Sequence, residues 1–234
     1  MKTLRLTLAA GMLAFGASAA LAQSPRMGGE MKHIMVHFNE DEMMLECHVD
    51  ASIETPVLRN YGATYTGGAS VLNGTMYNAQ YGWMVEGFWT PPEGSLLWIE
   101  QVGASSGMSV YRGTNSWAPI FGTDGSSPRI SWNGVMLHNW YAVTRPGTFA
   151  ATYVVYFGDA SGTPLEGYMP GDCTLEWTVA CVVDFDGDGF ATGIDFDLFV
   201  GAFEAGDMSA DYDGDGFVTG IDFDLFVGAF ESGC

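Results

Sequence analysis

Hydrophobic and polar positions follow two different patterns along this chain. Between residues 27 and 180, short runs rich in β-branched and aromatic residues are separated by clusters of Gly, Pro, Asn and Ser. Such runs are typical of β-strands, and no stretch of ten or more residues there keeps a helical period. We therefore expect a mainly β chain in which residues 23–180 form an antiparallel β-sandwich. The predicted strands cover residues 44–49, 81–89, 96–102, 135–143, 149–157 and 175–179.

After residue 184 the pattern changes to a helical period that occurs twice. The segment Ile-Asp-Phe-Asp-Leu-Phe-Val-Gly-Ala-Phe-Glu is present in two identical copies. Within each copy Phe and Val recur at i, i+3, i+4 and i+7, which predicts an amphipathic helix. Neither helix can bury its aromatic face alone, so we expect the two to pack against each other. The apolar positions are Phe196, Phe199, Val200 and Phe203 in the first copy and Phe223, Phe226, Val227 and Phe230 in the second.

A twelve-residue acidic loop leads into each helix, over residues 184–195 and 211–222. Calcium binds oxygen ligands, and a loop of this length supplies them from positions 1, 3, 5, 7, 9 and 12, with Gly at position 6 for the sharp turn. Both loops fit that pattern, with the backbone carbonyl as the ligand at position 7. We expect two calcium ions. The predicted ligands are Asp184, Asp186, Asp188, Phe190, Thr192 and Asp195 in the first loop and Asp211, Asp213, Asp215, Phe217, Thr219 and Asp222 in the second.

The tandem loop and helix, with Asp at position 12 and no helix entering the loop, resembles type I dockerin repeats across residues 184–231. The resemblance implies a small α module over residues 181–234 that binds two calcium ions. Many dockerins dock onto a cohesin domain through Ser/Thr-type residues at loop positions 10 and 11. Those positions hold Gly193 and Ile194 in one loop and Gly220 and Ile221 in the other, so the sequence gives no support for a cohesin-like partner.

The formal net charge is −20, and thirteen of the 28 acidic residues lie between residues 184 and 231, where no Lys or Arg offsets them. Their mutual repulsion is expected to keep the module loose until calcium binds. Nucleic acid is excluded as a partner, because phosphate contacts need clustered Lys and Arg.

The beginning of the chain predicts export. Residues 1–22 have a short basic start, an apolar run and a small-x-small end at residues 20–22, which is the pattern of a secretory signal peptide. Cleavage near Ala22 would give a secreted or cell-surface protein, and no later segment is apolar enough to span a membrane.

Because exported proteins meet an oxidising environment, the four cysteines are expected to form two disulfides, and three connectivities are possible. We prefer Cys181–Cys234, which would clasp the calcium module, together with Cys47–Cys173, which would join an early strand to a late one. The alternative Cys173–Cys181 would close a small loop across one strand, whose extended backbone holds the two ends apart.

The histidines of the β domain are candidate zinc ligands. His33 and His48 flank a predicted hairpin turn at residues 39–42, Asp50 shares the face of His48, and His138 is the candidate from another strand. Zinc takes three or four such ligands. His37 shares the face of His33 but lies closer to the turn. The competing interpretation is that these histidines are hydrogen-bonded parts of the scaffold.

The segments His33-Ile-Met-Val-His37, Leu45-Glu-Cys-His48-Val-Asp50 and Leu137-His138-Asn139-Trp140 occur in that order within residues 33–157. Together with the later Pro-Gly turn, they resemble the bacterial surface-anchored domains called choice-of-anchor M. That resemblance implies surface attachment and zinc handling for this domain.

Two further functional classes are a carbohydrate-binding module and an enzyme. The seven tryptophans allow a carbohydrate-binding or adhesion module, although large aromatic residues in strands more often pack inward. The sequence contains no nucleophile elbow, no zinc-protease helix motif and no phosphate loop, and a carboxylate pair for glycoside hydrolysis could be chosen only arbitrarily. We therefore predict a protein without enzymatic activity.

Overall fold

The computed structural model describes residues 24–113, 116–145, 147–179, 181, 183–186, 191–213 and 216–232. The predicted signal peptide lies outside the described residues. The strands are β1 Lys32–Asn39, β2 Met44–Val49, β3 Val57–Leu58, β4 Met76–Asn78, β5 Tyr81–Val85, β6 Leu96–Ala104, β7 Ser109–Tyr111, β8 Pro119–Ile120, β9 Arg129–Trp132, β10 Leu137–His138, β11 Trp140–Val143, β12 Thr148–Gly158 and β13 Gly171–Val179. Two helices follow, α1 Gly193–Ala205 and α2 Gly220–Ser232.

The strands form three sheets, with strand orders β10-β5-β1-β2, β4-β11-β7-β8 and β3-β13-β12-β6-β9. Their pairing is antiparallel except between β1 and β5 and between β3 and β13. The prediction of a β-sandwich followed by a small helical part is confirmed. Within the described residues, neither helix has the length and apolarity needed to cross a membrane.

One hydrophobic core is shared by all three sheets, because alternate residues of each strand point inward. In β13 Cys173, Leu175 and Trp177 are buried while the residues between them are exposed. Aromatic rings fill the centre, where Trp83 and Tyr153 meet edge to face with ring centroids 5.5 Å apart. This packing fixes which face of each strand is left for function.

The strand predictions were accurate where hydrophobic residues alternate and less accurate near turns. Residues 44–49 form β2 as predicted, and residues 149–157 lie inside β12. The segment 135–143 is divided into β10 and β11 at Asn139, which is fully buried and accepts a hydrogen bond from the Gly113 amide at 3.4 Å. The segment 81–89 stops as a strand at Val85, shortly before Gly87 adopts a φ of 81°.

A close approach of β13 to β2 explains the glycine at the start of β13. A Cβ atom added to Gly171 would lie 2.5 Å from the carbonyl oxygen of Leu45, which is backbone and cannot rotate away. We expect Gly171→Ala to destabilise the β domain by about 1–3 kcal/mol, as overpacking does. The measurement is urea unfolding followed by tryptophan fluorescence.

Gly103→Ala is the matched control, because Gly103 also lies in a strand but a Cβ atom there would meet nothing within 4 Å. This variant is expected to unfold at or slightly above the wild-type urea concentration. If Gly171→Ala and Gly103→Ala had the same midpoint of urea unfolding, β2 and β13 would not be held as closely as the contact between Gly171 and the Leu45 carbonyl oxygen requires.

Candidate metal-binding sites

The two helices pack through the aromatic stripe that the sequence repeats. Phe199 of α1 and Phe226 of α2 are fully buried, and their rings stack with centroids 3.7 Å apart and planes 3° from parallel. Phe185 and Tyr212, which occupy position 2 of the two loops, meet this pair edge to face. The predicted helix pair is therefore present, and each loop is attached to the shared core by its second residue.

The first loop is closed by the carboxylate at position 12. One oxygen of Asp195 accepts hydrogen bonds from the amides of Phe185 at 2.7 Å and Asp186 at 3.2 Å. The other oxygen accepts from the Thr192 amide at 2.7 Å and the Thr192 hydroxyl at 3.0 Å. Thr192 in turn caps α1, since its hydroxyl accepts from the Ile194 amide at 3.2 Å. Asp195 therefore joins the beginning of the loop to its end.

The second loop repeats this arrangement almost atom for atom. Asp222 accepts from the amides of Tyr212 at 2.8 Å and Asp213 at 3.1 Å through one oxygen. Its second oxygen accepts from the Thr219 amide at 2.7 Å and hydroxyl at 3.1 Å. Because two independent loops reach the same geometry, the arrangement follows from the shared sequence.

Each loop gathers three carboxylates at one point. Donor oxygens of Asp184, Asp186 and Asp195 lie within 4.8 Å of one another, and so do those of Asp211, Asp213 and Asp222. In the second loop Gly216 has a φ of 91° and donates its amide to Asp211 at 2.9 Å, which is the sharp turn expected at position 6. Both triads are therefore arranged so that they can hold a metal ion.

Three of the remaining predicted ligands lie outside the described residues, and these are Asp188, Phe190 and Asp215. Thr192 and Thr219 contact the position 12 carboxylate, and the side chain of Phe217 is 70% exposed. The capping role of the two threonines was not predicted. The Thr-x-x-Asp spacing in each loop is the sequence signal of a capping box and could have revealed it.

The hydrogen bonds keep the position 12 carboxylates ionised. Those from the Thr192, Asp186 and Phe185 amides lower the pKa of Asp195 to about 2, and they outweigh burial, which acts in the opposite direction. The pKa of Asp222 is lowered for the same reasons, led by the Thr219 amide. A fully buried carboxylate that stays charged beside two others favours a cation at the same point.

The cysteines are placed in two groups. The Sγ atoms of Cys47 and Cys173 lie 2.7 Å apart as free thiols, so the structure brings together the pair preferred from the sequence without a bond between them. Cys181 is disulfide-bonded. Its predicted partner Cys234 lies outside the described residues, so the Cys181–Cys234 bond stays a prediction.

The four histidines all lie on one sheet, on the face turned away from the core. In β1, Ile34 and Val36 are buried while His33 and His37, on either side of them, are half-buried, and in β2 Leu45 is buried while His48 is exposed. The predicted hairpin turn is present, and the register pairs His48 with Met35, diagonally between His33 and His37. His33, His37 and His48 therefore share a face of the hairpin, and Asp50 follows the end of β2.

His138 stands apart from the hairpin. It pairs with Gly82 on one side, and Gly82 pairs with His33 on the other, so a whole strand separates the two histidines. The ring of His138 lies on Gly82, and its Nδ1 contacts the Ala79 carbonyl oxygen at 2.9 Å. His138 is thus held against the sheet, which is the position expected for a scaffold histidine.

The tryptophans are buried or half-buried in every case. Trp83, Trp132 and Trp177 belong to the core, and Trp117 stacks on Trp140 with ring centroids 5.1 Å apart. Among the described aromatic residues, Phe88 in the loop after β5 and Phe217 in the second acidic loop are exposed. The indole rings therefore give the sugar-binding alternative no support, and it stays a prediction.

The chain was compared with protein-family models and with curated proteins. No protein-family model matches the chain, and no curated protein matches it.

Proposed function

We propose that this chain is an exported calcium-binding protein whose two acidic loops each hold one calcium ion. The observation that carries the proposal is the pair of equivalent carboxylate triads, each with one fully buried aspartate. Hard cations with six to eight oxygen ligands suit such sites, whereas zinc prefers nitrogen and sulfur. The backbone carbonyl at position 7 and the residues at positions 5 and 9 complete the expected set of ligands.

Calcium in this proposal is part of the fold of the module. Thirteen acidic residues without a compensating base repel one another along residues 184–231, and two bound ions would remove much of that repulsion. Binding free energy then becomes folding free energy for the helix pair. Outside the cell, where calcium is abundant, the module would be folded and would present the β domain for surface attachment.

The experiment is calcium titration of the mature protein after removal of metal with a chelator. We expect two ions per chain for the wild type by isothermal titration calorimetry and by elemental analysis. Asp184→Ala should lose the first site and Asp211→Ala the second, because each removes the position 1 carboxylate from one triad. The double variant should bind neither ion.

Asp197→Ala and Asp224→Ala are the matched controls. These carboxylates lie two residues beyond position 12 in the same two helices and are exposed. Both variants should still bind two ions, with a small loss of affinity from the reduced negative charge. If the loop variants and the control variants lost calcium affinity to the same extent, calcium would be attracted by the overall negative charge, without a specific site.

A further inference from the structure

The outer face of the β1–β2 hairpin carries a second group of metal-ligating side chains, chemically unlike the calcium loops. The register places His37 directly opposite Glu46, and His48 follows Glu46 by two residues on the same face. One residue on a strand and two alternate residues on its neighbour form a compact triangle, because facing side chains are about 5 Å apart and diagonal ones about 7–8 Å apart. Two imidazoles and one carboxylate are typical ligands of zinc.

The ligand atoms of His48 and Glu46 already have the separation that tetrahedral coordination of one zinc ion requires. Nε2 of His48 lies 3.3 Å from Oε2 of Glu46. Ligands about 2.0–2.1 Å from a zinc ion at the tetrahedral angle are separated by about 3.3–3.5 Å. The two atoms are therefore already spaced as two ligands of one zinc ion would be.

The carboxylate is oriented and ionised in advance. The Asn39 side-chain amide donates to Oε1 of Glu46 at 3.2 Å, which leaves Oε2 directed towards His48. This hydrogen bond, followed by the one to His48, lowers the pKa of Glu46. A ligand whose second oxygen is held by a neighbouring amide is positioned as metal-binding carboxylates commonly are.

For His37 to supply a third ligand, its side chain has to rotate. Among the described residues, three donor atoms come within 4.8 Å of one another in the acidic triads and not on this face. The Nδ1 atom of His37 lies near Gly87, 3.9 Å from where a Cβ atom would stand, and rotation of the side chain would bring the ring towards Glu46, which the register places opposite. The side chain of His48 is 56% exposed, so water can reach the fourth position.

We propose that His37, Glu46 and His48 form a binding site for one divalent transition-metal ion of the zinc type, with water as the fourth ligand. The site is independent of the calcium loops, since it lies on a different element and uses nitrogen ligands. It also differs from the ligand set that the sequence suggested. Asp50 is left out of this set because it lies beyond the end of β2, on the side of His48 away from His37.

The test is zinc titration of the mature protein in saturating calcium, so that the acidic loops are filled, with a chromophoric chelator as competitor. We expect one zinc per chain. His37→Ala and His48→Ala should each weaken zinc binding at least tenfold, because removing even an indirect partner of a metal ligand costs about 10–100-fold. Cobalt in place of zinc should give the visible absorption of a four-coordinate ion, and His37→Ala should abolish it.

His33→Ala and Asp50→Asn are the controls. His33 lies on the same face but on the other side of His48 from His37, and Asp50 follows the end of β2, where its amide donates to the His33 carbonyl oxygen. Neither should change zinc affinity, and all four variants should keep the wild-type unfolding curve by tryptophan fluorescence. If His33→Ala and Asp50→Asn weaken binding while His37→Ala does not, the proposed ligand set is wrong. If the wild type shows no saturable zinc binding in calcium, there is no site on this face.

Discussion

Phe199→Ala is expected to lower the free energy of unfolding of the calcium-loaded module by about 3–5 kcal/mol, the usual cost of replacing a buried phenylalanine with alanine. Phe199 is fully buried, stacks on Phe226 and contacts Phe185 edge to face. A module of about 50 residues has a small core and a correspondingly small margin of stability. This single change should therefore unfold most of the helix pair at physiological temperature.

The two parts of the chain can be followed separately in one sample. All seven tryptophans lie between residues 83 and 177, and both α-helices of the described residues lie in the calcium module. Urea unfolding of the full mature chain in calcium is therefore followed by helical circular dichroism for the module and by tryptophan fluorescence for the β domain. Phe199→Ala should shift the first transition and leave the second unchanged.

Leu198→Ala is the matched control for this prediction. Leu198 is the neighbouring residue of the same helix and is 45% exposed. Its replacement should cost less than about 1 kcal/mol, as surface substitutions do. A similar shift for the two variants would show that the helices do not pack through the Phe199–Phe226 stack.

The second large effect is expected from the thiols of the β domain. Cys47 and Cys173 are 126 positions apart in sequence, and their sulfur atoms lie in contact between β2 and β13. In an oxidising environment, exchange with a disulfide-bonded oxidant should remove two electrons and two protons from this pair and join the sulfurs, while the oxidant is reduced to two thiols. A cross-link between such distant residues stabilises by about 2–5 kcal/mol.

We therefore expect the protein isolated from an oxidising medium to show no titratable thiol after denaturation, and peptide mapping to find Cys47 linked to Cys173. The Cys47→Ala/Cys173→Ala double variant should lose about 2–5 kcal/mol in urea unfolding read by tryptophan fluorescence. Adding reductant to the wild type should produce a comparable shift, and adding it to the double variant should produce none. Two thiols that stay titratable after treatment with oxidant would contradict this prediction.

The sequence predicted most of what depends on local spacing. Hydrophobic alternation identified the β domain and its longest strands, and the period of the phenylalanines identified both helices and their packing face. The twelve-residue spacing placed the carboxylates of Asp184, Asp186 and Asp195 together, because positions 1, 3 and 12 converge wherever the chain folds around one point. These features need no information from distant parts of the chain.

Features that depend on the relative position of distant segments were predicted less completely. The strands β3 and β8 have only two residues each, so no local period identifies them, and β3 pairs with β13 at the other end of the β domain. The division of residues 135–143 follows from the burial of Asn139, whose partner Gly113 lies on another loop. The sequence could not predict that division, because nothing near Asn139 in the sequence indicates that Gly113 approaches it.

By itself, therefore, the sequence determined the mainly β fold, the helix pair and the two acidic triads, since each follows from periodicity or spacing within about thirty residues. Only the tertiary structure decided the strand order of the three sheets, the contact between Cys47 and Cys173, and the register that sets His37 opposite Glu46. The physical reason is the two-residue period of a strand. A shift of one residue in the pairing of β1 with β2 would move every histidine of β1 relative to its neighbours, and that register is fixed by burial of Ile34, Val36 and Leu45 in a core shared with distant strands.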